Sequence, residues 1–210
     1  MQRSEMQDSQ RHGEYHRRPA ALVSSRVVPH HAADCASTSG AIMPVSMYQA
    51  SVPVFVHGLK ALSHLLDRGE AHAREAGADP AALIGTRLAP DMLPLSGQVQ
   101  RACDTAKLSL ERLTGLAAPR MEDTEQTFAE LHARIDRTLA YLDGFTEAQL
   151  AGSETRIVEL DRHDYKPTFD GASYLFSFGL LNFCFHITTA YNILRHAGVK
   201  VGKRDYLRPF

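Results

Sequence analysis

The sequence predicts an all-α fold, a bundle built on four long helices, and three observations carry that reading. Apolar residues recur at spacings of three and four in four separate stretches between Met47 and His196. Glycine and proline punctuate the chain between them, at Gly77, Pro80, Gly115, Pro119, Gly144 and Gly198. One short window, Thr155–Leu160 (TRIVEL), shows the alternation of a strand instead.

In the first helix Val52, Phe55, Val56, Leu59, Leu62 and Leu66 form one apolar stripe. Met47-Tyr48 marks the start of the domain, Ser51 with Pro53 a helix start, and Gly77 with Asp79-Pro80 the end. His57 and His64 lie opposite the stripe, where solvent is expected. Ala81–Leu88 allows a short turn of helix, and Asp91 is placed to cap the second long helix. That helix carries Leu95, Val99, Ala102, Cys103, Ala106, Leu110 and Leu113 on one side and stops at Gly115. Gln98 sits at the edge of the stripe and Asp104 points away from it. Asp123-Thr-Glu-Gln126 reads as a capping box for the third helix, with Phe128, Leu131, Ile135, Leu139 and Leu142 as its core side and His132 at the boundary. Glu154–Asp170 lacks helical period and suits a short hairpin or an extended crossover. The fourth helix runs from about Gly171 to His196, and the tail after Gly198 is expected to pack along the surface.

Composition narrows the class. The chain has 210 residues, 44% of them hydrophobic, a net charge of −1 and no tryptophan, which fits one ordinary domain. The near-neutral balance supplies no electrostatic reason for a nucleic acid or an anionic membrane as partner. Residues Met1–Ser46 have no apolar period and hold His12, His16, His30 and His31, so they read as a disordered extension before a domain over 47–210. Cys35, Cys103 and Cys184 contain no paired CxxC spacing; Cys103 and Cys184 fall in apolar helical patterns and read as buried, reduced thiols of a cytoplasmic protein.

The fourth helix is the unusual one. Gly171–Leu194 carries no charged residue over 24 positions, yet it includes Asn182, His186 and Thr189. At 100° per residue those three fall on one stripe with Leu175, Phe178 and Ile193. A buried polar group without a partner costs about 1–3 kcal/mol, so this cluster must find hydrogen bonds or a ligand. The length would allow a membrane span, but the seven polar residues within it and a mean hydropathy of −0.25 favour a central bundle helix. Because Phe176, Phe183, Ile187 and Leu194 leave the helix apolar nearly all round, either the crossover covers it or a second copy does, as a homodimer.

Known catalytic signatures such as GxSxG, a P-loop, GxGxxG or HExxH are absent. A resemblance does emerge from longer strings. The segments SVPVFVHGLKALSHLLD, RLAPDMLPLSGQVQRACDTAK and NFCFHITTAYNILRHAGVKVGKRDYL resemble a bacterial family known only as a domain of unknown function, itself similar to the DinB/YfiT-like superfamily of four-helix bundles. The match spans essentially Met47–Phe210. It implies an up-down-down-up bundle with a long crossover. Metal-binding members of that superfamily use three histidines, one on the second helix and an HxxxH pair on the fourth, often followed by LRxxG. Aligned on Leu194-Arg195 and Gly198, His186 takes the second position of the pair and Asn182 the first, while no histidine lies between Asp91 and Leu116.

Two functional expectations follow. In one, a bundle holds a small molecule at Asn182, His186, Thr189 and Gln98, or uses that cluster only to fix packing. In the other, the protein is a metal-dependent transferase or hydrolase, with His186 as ligand to a divalent zinc, nickel or iron ion or as general base, and with Asn182, Gln98 and Asp104 as weak additional donors.

Overall fold

The computed structural model describes residues 45–161 and 166–208. The expectations for Met1–Pro44, Cys35 and the four early histidines among them, lie outside these residues. Four long helices make the frame: α1 (Met47–Glu75), α3 (Leu95–Thr114), α4 (Phe128–Asp143) and α7 (Leu180–His196). Shorter elements fill the connections: α2 (Pro80–Ile84), α5 (Glu147–Leu150), β1 (Ile157–Glu159), β2 (Thr168–Asp170), α6 (Gly171–Tyr174) and α8 (Lys203–Leu207). The expected hairpin is present, β1 pairing antiparallel with β2 through Val158 and Phe169.

The directions of the helices follow from which residues meet. Phe55 touches Phe183, and the backbone at Gly69 approaches Leu194, so α1 and α7 run parallel. Ser63 bonds His132 while Gly69 faces Phe128, so α4 runs against α1. Gln98 meets His186 and Thr105 meets Asn182, so α3 runs against α7. The order is therefore up-down-down-up, as the resemblance implied. Two successive helices in the same direction require the chain to travel back between them. Residues 115–127 do this, and about 13 extended residues reach roughly 40 Å, enough to return along a 20-residue helix of about 30 Å.

The core is the set of stripes read from the sequence. Leu95, Val99, Ala102, Cys103, Ala106 and Leu110 are fully buried, as are Phe55, Leu59, Leu62, Leu66, Leu131 and Ile135. Gly115, with a φ of 78°, ends α3 in the left-handed conformation that glycine tolerates.

Several local expectations are corrected. Ser46, not Ser51, caps α1, in a reciprocal box with Gln49; Ser51 is buried in the second turn and donates to the Met47 carbonyl. Pro53 is accommodated inside that helix. Pro94 rather than Asp91 precedes α3, with no side-chain cap. Thr127 with Glu130 forms the capping box of α4, one turn later than expected. The Asp123–Gln126 stretch instead lies in the crossover, where its carboxylates meet arginines. His64 is not a solvated surface residue: its Nε2 lies 3.0 Å from Asp205 of α8, tying the C-terminal segment to α1. Cys103 is buried, but Cys184 is exposed.

The last helix is not uniform. Between α6 and α7, Leu175–Gly179 forms a π-helical turn, closed by the Leu180 N–H donating to the Leu175 carbonyl. Such a turn inserts an extra residue and retards the helical face, a feature common at functional sites. Leu175 is consequently fully buried, whereas Asn182, expected on the same stripe, is only half-buried. The crossover does not cover the helix either. Phe183, Ile187 and Leu194 are buried, but Phe176, Leu181 and Phe185 are 55%, 62% and 57% exposed.

Candidate functional site

Along α3 the residues Gln98, Arg101, Thr105, Leu108 and Arg112 recur at three and four and make one stripe beside the core stripe. Phe178, Asn182, Phe185 and His186 come from the π turn and α7 to face it. Together with Leu93 and Asp104 these residues, Gln98 excepted, line a groove of about 390 Å³ between the two helices.

Two hydrogen bonds cross that seam. Asn182 Nδ2 donates to Thr105 Oγ1 at 2.7 Å, and His186 Nδ1 lies 2.8 Å from Gln98 Oε1. The Gln98 amide nitrogen donates to the Leu93 carbonyl at 3.0 Å, which turns the amide oxygen toward the histidine. An amide oxygen only accepts, so His186 Nδ1 carries the proton, and in the neutral ring the lone pair is on Nε2. Thr105 in turn donates to the Arg101 carbonyl at 2.7 Å, so its hydroxyl is fully engaged as donor.

The structure thus brings Gln98, Asn182 and His186 together, but not Thr189. The Thr189 hydroxyl donates to the Phe185 carbonyl at 2.7 Å on its own helix, a local bond that competes with any cross-helix role. Asp104, expected to point away from the apolar stripe, meets charges: the parallel α4 runs beside it and places Arg134 at 2.9 Å, while Lys107 lies 3.2 Å and Arg101 3.1 Å away.

Arg134 was not singled out in the sequence, although it stands between Leu131 and Ile135 on the core stripe. Its side chain is fully buried, and it donates to Asp104, to Glu125 and to the Glu122 carbonyl, with Asp123 3.0 Å away. Gln100 also donates to Glu125, Arg101 pairs with Asp123, and Lys107 donates to the Pro119 carbonyl. Read in order, Lys107, Arg101 and Gln100 of α3 hold residues 119, 123 and 125 of the crossover. These charges staple a segment that has little apolar surface of its own. Burial raises the Glu125 pKa, but hydrogen bonds from Arg134 and Gln100 outweigh it and leave the carboxyl below its ordinary range.

At the other end of the groove Arg112 donates to the Tyr174 hydroxyl at 2.9 Å and lies 5.6 Å from the centre of its ring. Tyr174 is fully buried, shares a hydrogen bond with Ser109 and stacks near Phe178. Among thiols, burial pushes Cys103 up to about 12, so it holds no thiolate at neutral pH.

The donor set does not suit the divalent metal that the superfamily resemblance implies. His186 has Gln98 on one ring nitrogen, Asn182 offers an uncharged amide, and Asp104 is already surrounded by three cations. Zinc, nickel or iron calls for several imidazole, thiolate or carboxylate donors converging on one point. Among the described residues no group of three or more histidines, cysteines or acids is so placed. Nor is any described helix long and apolar enough to cross a membrane.

Comparison with known proteins places this geometry in a family. A search of the curated proteins found no match. The crystal structure of a DinB family member protein from Shewanella denitrificans is similar, with 42% identity and a TM-score of 0.73, over 78% of this chain and 92% of that one. Residues 47–207 match the family described as a domain of unknown function, DUF1993. The chain therefore belongs to the DUF1993 family and has the all-α, DinB-like bundle fold.

Proposed function

We propose that this protein binds a small molecule in the groove between α3 and α7, without a resident transition metal, and that it works as a homodimer. The observation that carries the binding reading is the pair of cross-helix bonds, Asn182 to Thr105 and His186 to Gln98, whose Thr105, Asn182 and His186 sit in the wall of a groove with aromatic residues beside them. Pockets that hold small molecules combine an apolar lining with a few oriented polar groups. Thr105, Asn182 and His186 supply the polar groups; Leu93, Leu108, Phe178 and Phe185 supply the lining. The π turn beside Phe178 supports the same reading.

Metal analysis of untagged protein together with a fragment screen by NMR tests it. The expected result is no stoichiometric zinc, nickel or iron, and fragments that shift Thr105 and Asn182 resonances and lose that effect in His186→Ala or Asn182→Ala. Stoichiometric metal that disappears in His186→Ala would instead favour the metal-dependent transferase or hydrolase.

The dimer reading rests on Phe176, Leu181 and Phe185, each more than half exposed on a stretch with no charge to oppose a second copy. Sedimentation at roughly tens of micromolar should give a dimer, and Leu181→Glu should convert it to monomer. A wild-type monomer at that concentration removes the proposal.

A further inference from the structure

Resting on the binding reading, we infer that the groove selects an anionic ligand, a small carboxylate or phosphate whose acid group sits on Arg112 and whose far end reaches Asn182. Three ionisable side chains of fixed sign line the groove: Arg101, Asp104 and Arg112. Arg101 is matched by Asp104 and Asp123, and Asp104 is itself matched by Arg134 and Lys107. Arg112 has no such match. Its contacts are the Tyr174 hydroxyl and ring, both uncharged, and among the described residues no carboxylate pairs with it. A half-buried guanidinium with no counter-charge in the fold is arranged for one that arrives from outside, and its planar fork suits a carboxylate or phosphate.

Tyr174 keeps that guanidinium in place. The hydroxyl that accepts from Arg112 is also held by Ser109, and the ring packs beneath the cation, so less of the arginine's rotamer freedom remains to be lost on binding.

The other end of the site is polar and neutral. Asn182 uses one amide hydrogen on Thr105; its carbonyl oxygen accepts no bond among the described residues and can take an O–H or N–H from a ligand. Thr105, which holds Asn182, and Arg112 are seven residues apart on α3, so their backbones are separated by about 10 Å along the helix axis. Leu108 and Phe178 lie between them and fit an apolar or aromatic middle. The pattern describes an acid at one end, an apolar spacer, and a hydroxyl or amine at the other.

Phloretate, its primary amide phloretamide, tyramine and the phosphonate analogue of phloretate share this shape and differ in charge. Titrated into the full-length protein and followed by protein NMR, phloretate or the phosphonate should shift Thr105, Leu108, Arg112 and Asn182. Either should bind about tenfold more tightly than the amide or tyramine. Whichever anion binds better tells carboxylate from phosphate. Arg112→Gln should lose about tenfold in anion affinity, while Arg112→Lys, which keeps the charge, should retain most of it. Thermal melts matched to wild type separate this loss from unfolding. If phloretamide or tyramine binds the groove as well as the anions do, the anion inference fails and the binding reading stands. Anions that bind elsewhere and ignore Arg112→Gln overturn the inference too. If no probe shifts the groove residues at about 10 mM, both fall.

Discussion

Replacing Arg134 by methionine should remove about 3–5 kcal/mol of stability in urea unfolding, because the substitution leaves the Glu125 carboxylate without a cation and takes one cation each from Asp104 and Asp123. Arg134 is fully buried and meets Asp104, Glu125 and Asp123 at 2.9–3.0 Å. Its removal does more than delete an ion pair. The crossover between α3 and α4 carries few apolar side chains, so its position depends on polar anchors, and Arg134 holds three of them at residues 122, 123 and 125. Hydrogen exchange should therefore rise in residues 119–127 before it rises in α1. Adding Glu125→Gln to Arg134→Met should recover part of the loss, since the stranded charge disappears with it. A single Arg134→Met variant as stable as wild type would show that water reaches the cluster and that the staple is not structural.

The same network sets a pH dependence. Glu125 has a lowered pKa in the fold, so its contribution is fully present above the ordinary carboxylate range and is lost as pH falls through the folded value. The melting temperature should hold steady at neutral pH and fall below about pH 4–5, and Glu125→Gln should flatten that decline.

Phe183→Ala should cost a comparable amount, about 3–5 kcal/mol, for an entirely apolar reason. Phe183 is 1% exposed and meets Phe55 edge to face, with ring centres 4.9 Å apart. It fits under α1 because residue 58 is glycine: a Cβ there would lie 2.4 Å from the Phe183 ring. Gly58→Ala should accordingly destabilise by about 1–3 kcal/mol through overpacking. Combining it with Phe183→Leu should cost less than the sum of the two, because the smaller side chain frees the space that the new methyl needs. Strict additivity in chemical denaturation would show that the two helices do not meet as described.

The helices themselves were legible because burial imposes period. Leu95 through Leu113 and Phe55 through Leu66 sit where their spacing put them, and the hairpin at Ile157–Asp170 appears where the period breaks. The site was legible in part. Gln98, Asn182 and His186 announced themselves as polar residues beside apolar stripes. Arg101, Thr105 and Arg112 gave the same signal at the same spacing, but surface helices are full of arginines and threonines, so their stripe carried no weight without a facing helix.

By itself the sequence determined the helical periods, the stops, the family and a polar seam on the last helix, since each depends on residues a few positions apart. Tertiary structure alone decided what that seam faces. The parallel packing of α3 and α4 turned Asp104 inward and gave Arg134 a buried role, because charges far apart in the chain are matched only once the crossover lies along α3. The π turn retarded the face of α7, Thr189 closed on its own backbone, and Arg112 was left without an acid. Hydrophobic period is a local property and can be read along the chain. Charge compensation and helix register are set between elements, and they emerge only when the elements meet.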